Sequence, residues 1–249
     1  MSNKNALITE YTKIIESLDR GEIRIIKHNT DGRYDINNKY QDTIAKYLNI
    51  SKSYKIDENS YDKCPLKFTN WTEEDFAKKN IRVIPGCLVR KGSYIGNNVV
   101  LMKSFVNIGA YIDDGTMIDT WASIGSCAQI GKKCHISAGV GIGGVLEPAG
   151  TRPVIIEDEV FIGGRVQIAE GIIVRKGSVI STGVNLTSST KIIDVSNNVI
   201  HKNEIPENSV VIPGSYTYKD TIYNINCALI IKKTDMNTKS KTSINNLLR

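Results

Sequence analysis

Side chains able to do bond-making chemistry are sparse in this chain, and their spacing is informative. The histidines, His28, His135 and His201, stand far apart. The five cysteines, Cys64, Cys87, Cys127, Cys134 and Cys227, form no C-x-x-C pair, which removes the commonest zinc and dithiol signatures. Reduced cysteines that serve packing in a cytoplasmic protein are the expectation. One carboxylate stands out. In MIDTWASIGSCAQIG, residues 117–131, Asp119 directly follows Ile118, and isoleucine returns at Ile124 and Ile130. A carboxylate can hold an ammonium group or accept its proton. Whether Asp119 can reach a ligand depends on the element that carries it.

That element repeats every six residues. A helix needs apolar residues every three or four, and a half-buried strand needs alternation. Here Val83, Val89 and Ile95 begin the register, and after one five-residue step it continues as Val100, Val106, Ile112, Ile118, Ile124, Ile130, Ile136 and Ile142. It resumes at Ile156 and runs through Ile162, Ile168, Val174, Ile180 and Leu186, ending near Ile192. The fourth residue after them is usually small or β-branched, as at Ala110, Thr116, Ala122 and Ala128. Such a repeat predicts a parallel β-helix. Each hexad is one side of a triangular coil, and the Val or Ile points inward. Residues 18 apart stack, so Val106, Ile124 and Ile142 form one interior column and Ile112 with Ile130 another. Each buried Val or Ile contributes roughly 1.5–3 kcal/mol against exposure. No coil can bury its own face, so the coils must stack.

The geometry sorts the candidates. Asp119 falls just past an inward residue, at an exposed corner, where a polar residue is ordinary. His135 precedes Ile136 at an outer corner and reads as a surface histidine in a stack. His28 and His201 lie outside the repeat, so a three-histidine zinc site is not expected. The prism is filled by side chains, which leaves outer faces, projecting loops and junctions between prisms for any site.

The flanks have another character. Residues 1–80 read as a small α/β domain. In ALITEYTKIIESLDRG, Leu7, Tyr11, Ile14, Ile15 and Leu18 share one helical face, and Gly21 can end the helix. EIRIIKHNTDGRYDI reads as a hairpin turning at Asp31-Gly32. Ile44, Tyr47 and Leu48 mark a second helix, and Thr72 with Asp75 marks the N-cap of a third. Residues 81–194 form the β-helix, with an inserted loop at 143–155 shaped by Gly143, Gly144, Gly150, Pro148 and Pro153. Residues 195–249 form a short β-rich C-terminal region with strands in NSVVIPG and TIYNINCALIIKK and a terminal helix or tail at SINNLLR. The expected fold class is therefore mainly β.

Composition excludes several classes. The chain has 249 residues, 41% hydrophobic and 23% charged. The net charge of +6 is mild for a nucleic-acid binder, and no basic stripe studded with aromatics is visible. No run of about 18 apolar residues occurs, so neither a transmembrane helix nor a membrane partner is expected. The N-terminus lacks an uninterrupted apolar core and does not read as a signal peptide.

SFVNIGAYIDDGTMIDTWASIGSCAQIGKKCHISAGVGIGGVLEP (104–148) resembles the tetrahydrodipicolinate N-succinyltransferases of the lysine and diaminopimelate pathway. So do RVIPG at 82–86 and the C-terminal CALIIKKTD and KTSINNLLR, and the likeness spans roughly residues 8–249. The resemblance implies a left-handed β-helix assembled as a homotrimer, with active sites between subunits. It implies succinyl transfer from succinyl-CoA, a co-substrate rather than a resident cofactor, to the amine of the dicarboxylic amino acid 2-amino-6-oxopimelate. It places the substrate-carboxylate arginine on Arg82, the amine-binding and catalytic carboxylate on Asp119, and a backbone contact to substrate on Gly144. A guanidinium fork suits a carboxylate. It also puts CoA phosphates near basic residues of the last coils, with Lys176, Lys191, Lys232, Lys233 and Lys241 as candidates. No metal is implied.

One departure matters. Where the family carries a second catalytic acid, in a segment like F-I-G-A-R-S-E-V, this chain reads FIGGRVQIAEG and puts Gln167. Glutamine cannot take a proton at neutral pH. Glu170 lies three residues on and reads as a surface charge. The N-terminal segment is short, and the family's acceptor-side lysines are not evident in it. Two alternatives follow from these departures. One is a paralogous N-acyltransferase of specialised metabolism using a related amino acid or another acyl-CoA. The other is a trimer that binds ligand without turnover.

Overall fold

The inward positions of the hexads are almost completely sealed. From Val106 to Ile142 every sixth residue is no more than 2% exposed, and Ile156, Ile162, Ile168, Val174, Ile180 and Leu186 are equally buried. The computed structural model describes residues 2–147, 150, 152–219 and 221–243, with residues 2–5 as backbone only. Pro148, the tail SINNLLR beyond Ser243, and Arg249 lie outside the described residues.

Two-residue strands stack into three parallel ladders. The first face carries Arg82–Val83, Val100–Leu101, Met117–Ile118, His135–Ile136, Phe161–Ile162 and Val179–Ile180. The second carries Leu88–Val89, Phe105–Val106, Ser123–Ile124, Gly141–Ile142, Gln167–Ile168 and Asn185–Leu186. The third carries Tyr94–Ile95, Tyr111–Ile112, Gln129–Ile130, Ile155–Ile156, Ile173–Val174 and Glu204–Ile205. Together they form a left-handed parallel β-helix. Ile124 pairs with Val106 below and Ile142 above, and Ile112 with Ile130, as the 18-residue spacing requires. Across the inserted loop Ile130 pairs with Ile156 and Ile136 with Ile162, so the excursion leaves the register intact.

The five-residue step falls one side later than expected, between Leu101 and Val106 rather than between Ile95 and Val100. Val83 and Ile118 both pair with Leu101, which is fully buried in the prism, while Val100 stands between Arg82 and Met117 on the outer side. The step therefore separates Leu101 from Val106. Both residues are aliphatic and both are buried, so residue type alone does not choose between them.

Most corners turn through a left-handed residue three places after the inward one; Ser104, on the five-residue side, is an exception. Gly115 (φ 71°) and Gly139 (φ 68°) meet that need without strain, whereas Trp121 and Arg165 adopt it at φ 59°.

The N-terminal segment covers the third face. Helix α1 (Ser2–Arg20) packs along helix α2 (Asn38–Ile50). The hairpin Ile26–His28/Tyr34–Ile36 is antiparallel, with Gly32 N–H bonded to Asn29 O. Ile15, Leu18, Ile25 and Ile44 cluster with Ile108, Cys127, Ile155 and Ile173 of the prism. Lys67 and Asp19 pin α1 to this surface through a 2.9 Å ion pair. Helix α3 (Glu73–Lys79) starts at the reciprocal Thr72–Asp75 capping box. A short antiparallel pair, Tyr54–Lys55 with Tyr61–Asp62, has no counterpart in the sequence pattern.

The ladders continue beyond Ile192. Val174 pairs with Ile205 and Ile180 with Val211, both fully buried, after an excursion that breaks the hexad spacing. Ile192 instead pairs with Ala228 and His201. The strands Ser209–Thr217 and Asn224–Lys233 form a long hairpin, followed by helix α4 (Met236–Thr242), which Asp235 caps.

Candidate active site

Asp119 sits at the corner between the first and second faces. Its N–H bonds to Ile136 O at 2.8 Å, so the ladder itself fixes its backbone. Its Oδ1 accepts from Thr120 N–H at 2.6 Å and Thr120 Oγ1 at 3.2 Å. These bonds hold the carboxylate in one orientation, half exposed, and no cation among the described residues lies within ion-pair distance of it.

The displaced five-residue step decides what lies beneath Asp119. Because Leu101 pairs with Ile118, Met102 occupies the rung under Asp119, and its N–H bonds to Ile118 O. Arg82 Nη2 approaches Met102 Sδ at 3.8 Å. The guanidinium therefore ends beside the residue one rung, about 4.8 Å, below Asp119. A cation and a carboxylate share one exposed corner. Lys103 adds a second cation, its side chain running along Gly86. Trp121, 74% exposed, stands on the same turn with its N–H bonded to Lys103 O at 2.6 Å. Sequence reasoning missed Met102, Lys103, Thr120 and Trp121 here. Trp121 alone had a usable signal, a large aromatic where the corner demands a left-handed residue.

The other expected residues lie elsewhere on the chain. Gln167 is exposed on the second face, two rungs above Ser123, through Gly141. It is thus round the corner from Asp119 and about 10 Å higher along the axis, at about 4.8 Å per rung. Gly144 is on the corner between the second and third faces, where a Cβ would come within 2.5 Å of Ser126 Oγ. Ser126 Oγ also accepts from the N–H groups of Val145 and Leu146, which anchors the start of the inserted loop. The structure brings Arg82 toward Asp119 within one chain and leaves Gly144 and Gln167 on separate surfaces.

The remaining candidates have structural partners. The His135 ring packs against Phe161 at 5.1 Å on the first face. His28 is on the N-terminal hairpin and His201 ends the strand Val199–His201, so the three histidines stay apart. Glu170 accepts from the hydroxyl and N–H of Ser188, which hold its carboxyl below the usual range. Lys176 pairs with Glu159 at 3.5 Å, Lys232 with Asp235 at 2.6 Å, and Lys233 donates to Glu207 O at 2.8 Å. Lys191 lies over the Tyr216 ring at 3.9 Å, and Lys241 is on α4. These lysines gather around the last coils and the C-terminal hairpin. No helix among the described residues is long and apolar enough to cross a membrane.

A hexapeptide-repeat prism with a fixed carboxylate and a guanidinium on one corner belongs to the acyltransferase class. A family model described as "Hexapeptide repeat of succinyl-transferase" matches residues 153–188. Curated relatives carry the likeness over the whole chain. A protein of Wolbachia sp. subsp. Brugia malayi named 2,3,4,5-tetrahydropyridine-2,6-dicarboxylate N-succinyltransferase is 50% identical, covering 100% of this chain and 91% of its own length. Identically named proteins of Wolbachia pipientis wMel and Ralstonia nicotianae are 52% and 49% identical, each over 95% of this chain and 87% of its own. The chain belongs to the 2,3,4,5-tetrahydropyridine-2,6-dicarboxylate N-succinyltransferase family.

Proposed function

We propose that this protein transfers the succinyl group of succinyl-CoA to the amine of 2-amino-6-oxopimelate, the opened form of tetrahydrodipicolinate, in lysine and diaminopimelate biosynthesis. The observation that carries the reading is the shared corner, with the Arg82 guanidinium beside Met102 and Asp119 one rung above. An acceptor with carboxylates and an amine needs both charges. Arg82 takes a carboxylate by its fork. Asp119, oriented by Thr120, holds the ammonium and accepts its proton, which frees the lone pair. The amine nitrogen then bonds to the thioester carbonyl carbon, and backbone N–H groups offset the charge on the carbonyl oxygen. The C–S bond breaks as Asp119 passes its proton to the departing sulfur, CoA leaves as the thiol, and the second proton lost by the nitrogen goes through Asp119 to solvent.

A homotrimer is part of the same reading. Asp119 and Gln167 are a corner and two rungs apart on one chain, so a neighbouring prism is needed to bring such positions together. Exposed Trp121 (74%), at the corner, and Leu88 (47%), on the second face, favour that contact. The lysines of the last coils supply charge for CoA phosphates, and Gly144 offers a backbone approach to the substrate. The five cysteines are free thiols, in keeping with a cytoplasmic setting.

The test is thiol release by the purified protein with succinyl-CoA and L-2-aminopimelate. Turnover that needs both, and falls with acetyl-CoA, is expected. A folded trimer inactive with every dicarboxylic amino acid tried would sink the proposal.

A further inference from the structure

A second site is built on the corner between the third and first faces, away from Asp119. Asp113, Gly131, Glu157 and Arg175 follow one another up that corner, one per rung. The N-terminal hairpin closes over them and leaves a cavity of about 450 Å³, within the range of small-molecule sites. Four cations and four carboxylates line it, so it favours neither an anion nor a cation alone.

One wall is neutralised internally. Tyr34 donates to Glu157 Oε1 at 2.7 Å, and Arg175 reaches Glu157 at 2.8 Å, Glu204 at 2.9 Å and Gly32 O at 2.8 Å. The opposite wall is not. Arg24 lies over the Tyr111 ring at 3.8 Å and donates Nε–H to Gln129 Oε1 at 2.7 Å. Among the described residues no carboxylate is within ion-pair distance of it. Burial pushes its pKa below the ordinary arginine value, against the pull of Tyr111, Asp113 and Asp158. A guanidinium held this way without a counter-ion is costly. Asp113 and Asp158 line the same cavity, and in each Oδ1 accepts a backbone N–H, from Asp114 and Lys132, both at 2.8 Å.

We propose that this cavity binds a free α-amino acid, its carboxylate on the Arg24 fork and its ammonium on Asp113 and Asp158. Arg82, Asp119, Gly144 and Gln167 do not line it. The ligand is therefore separate from the acyl acceptor, although Lys176, one of the lysines offered to CoA phosphates, also lines the cavity.

Calorimetric titration of the full chain tests this with L-alanine, L-lysine and L-glutamate as probes, and with butyrate and butylamine as half-ligands. At least one amino acid is expected to bind with a millimolar or tighter Kd, and each half-ligand at least about tenfold more weakly. Arg24→Met and Asp113→Asn should each weaken the amino acid by about tenfold or more, while Asp119→Asn leaves it unchanged. If Arg24→Met does not fold, Asp113→Asn decides. Absence of binding by all three amino acids overturns the proposal. So does butyrate binding as tightly as the amino acid, or binding that survives both cavity variants.

Discussion

Gly141 lies one rung beneath Gln167 on the second face, and the Gln167 amide folds back over it, so that a Cβ on Gly141 would collide with Oε1. Gly141 does not have a positive φ, so alanine is allowed by the backbone. Gly141→Ala should displace the amide with little loss of stability and lower kcat several-fold if the amide contacts the reacting groups. Gln167→Glu tests the same position from the other side. A carboxylate there can accept a proton, and general-base help is typically worth 10²–10⁴-fold. With Asp119 already present, the expected gain in kcat is about tenfold, with a new acidic limb in the pH profile. Steady-state rates from pH 5 to 9 check both variants, and an unchanged profile in Gln167→Glu removes position 167 from the chemistry.

The Arg82–Asp119 corner predicts a split in kinetic parameters. Asp119→Asn keeps the shape and loses the proton acceptor, so kcat should fall by about 10²–10⁴-fold. Arg82→Lys keeps a charge but loses the fork, so KM for the amine substrate should rise by about tenfold with a smaller change in kcat. Equal effects of both variants on kcat alone would argue against separate roles.

The inner half of this architecture was legible because burial and spacing are the same fact in a β-helix. Ile112, Ile118 and Ile124 had to point inward once six was the period. What depended on a single residue of slippage was not legible. Val100 and Leu101 are equally apolar, yet only Leu101 under Ile118 puts Met102 under Asp119 and gives Arg82 its neighbour. The last coil was hidden for a related reason, since Ile205 and Val211 return to the stack after an excursion that no hexad count can cross. The Arg24–Gln129 contact joins residues 105 apart and exists only because the hairpin folds onto the third face. Asp119 and Gln167 were visible as residues, but their separation by a corner and two rungs was not.

Removing one partner of the Lys67–Asp19 pair should cost more than removing both. The Lys67 side chain is 3% exposed and Asp19 17%, and Gly92 N–H donates to Asp19 Oδ1 at 2.8 Å. Asp19→Asn strands a buried ammonium and should cost about 3–5 kcal/mol. Asp19→Asn with Lys67→Met should recover a large part of that. Urea unfolding of the two single variants and the double variant measures the coupling. Additive losses would show that burial of the lysine stem, not the ion pair, holds α1 in place.

Stability should fall steeply above pH 9 because of three sealed thiols. Cys64, Cys127 and Cys134 are no more than 1% exposed, and burial raises each from 9.0 to about 12. A group whose folded value is raised keeps its proton in the folded chain after the unfolded chain has lost it. Its contribution is therefore complete below pH 9 and is lost as pH rises from 9 toward 12. Each thiol changes stability by about 1.4 kcal/mol per pH unit in that window. Cys64→Ala should remove one such increment, whatever its own cost in packing at neutral pH. Urea midpoints under reducing conditions at fixed protein concentration, from pH 7.5 to 10.5, give the slopes. Parallel slopes for the parent and Cys64→Ala would mean that this thiol ionises as readily in the folded chain as in the unfolded one.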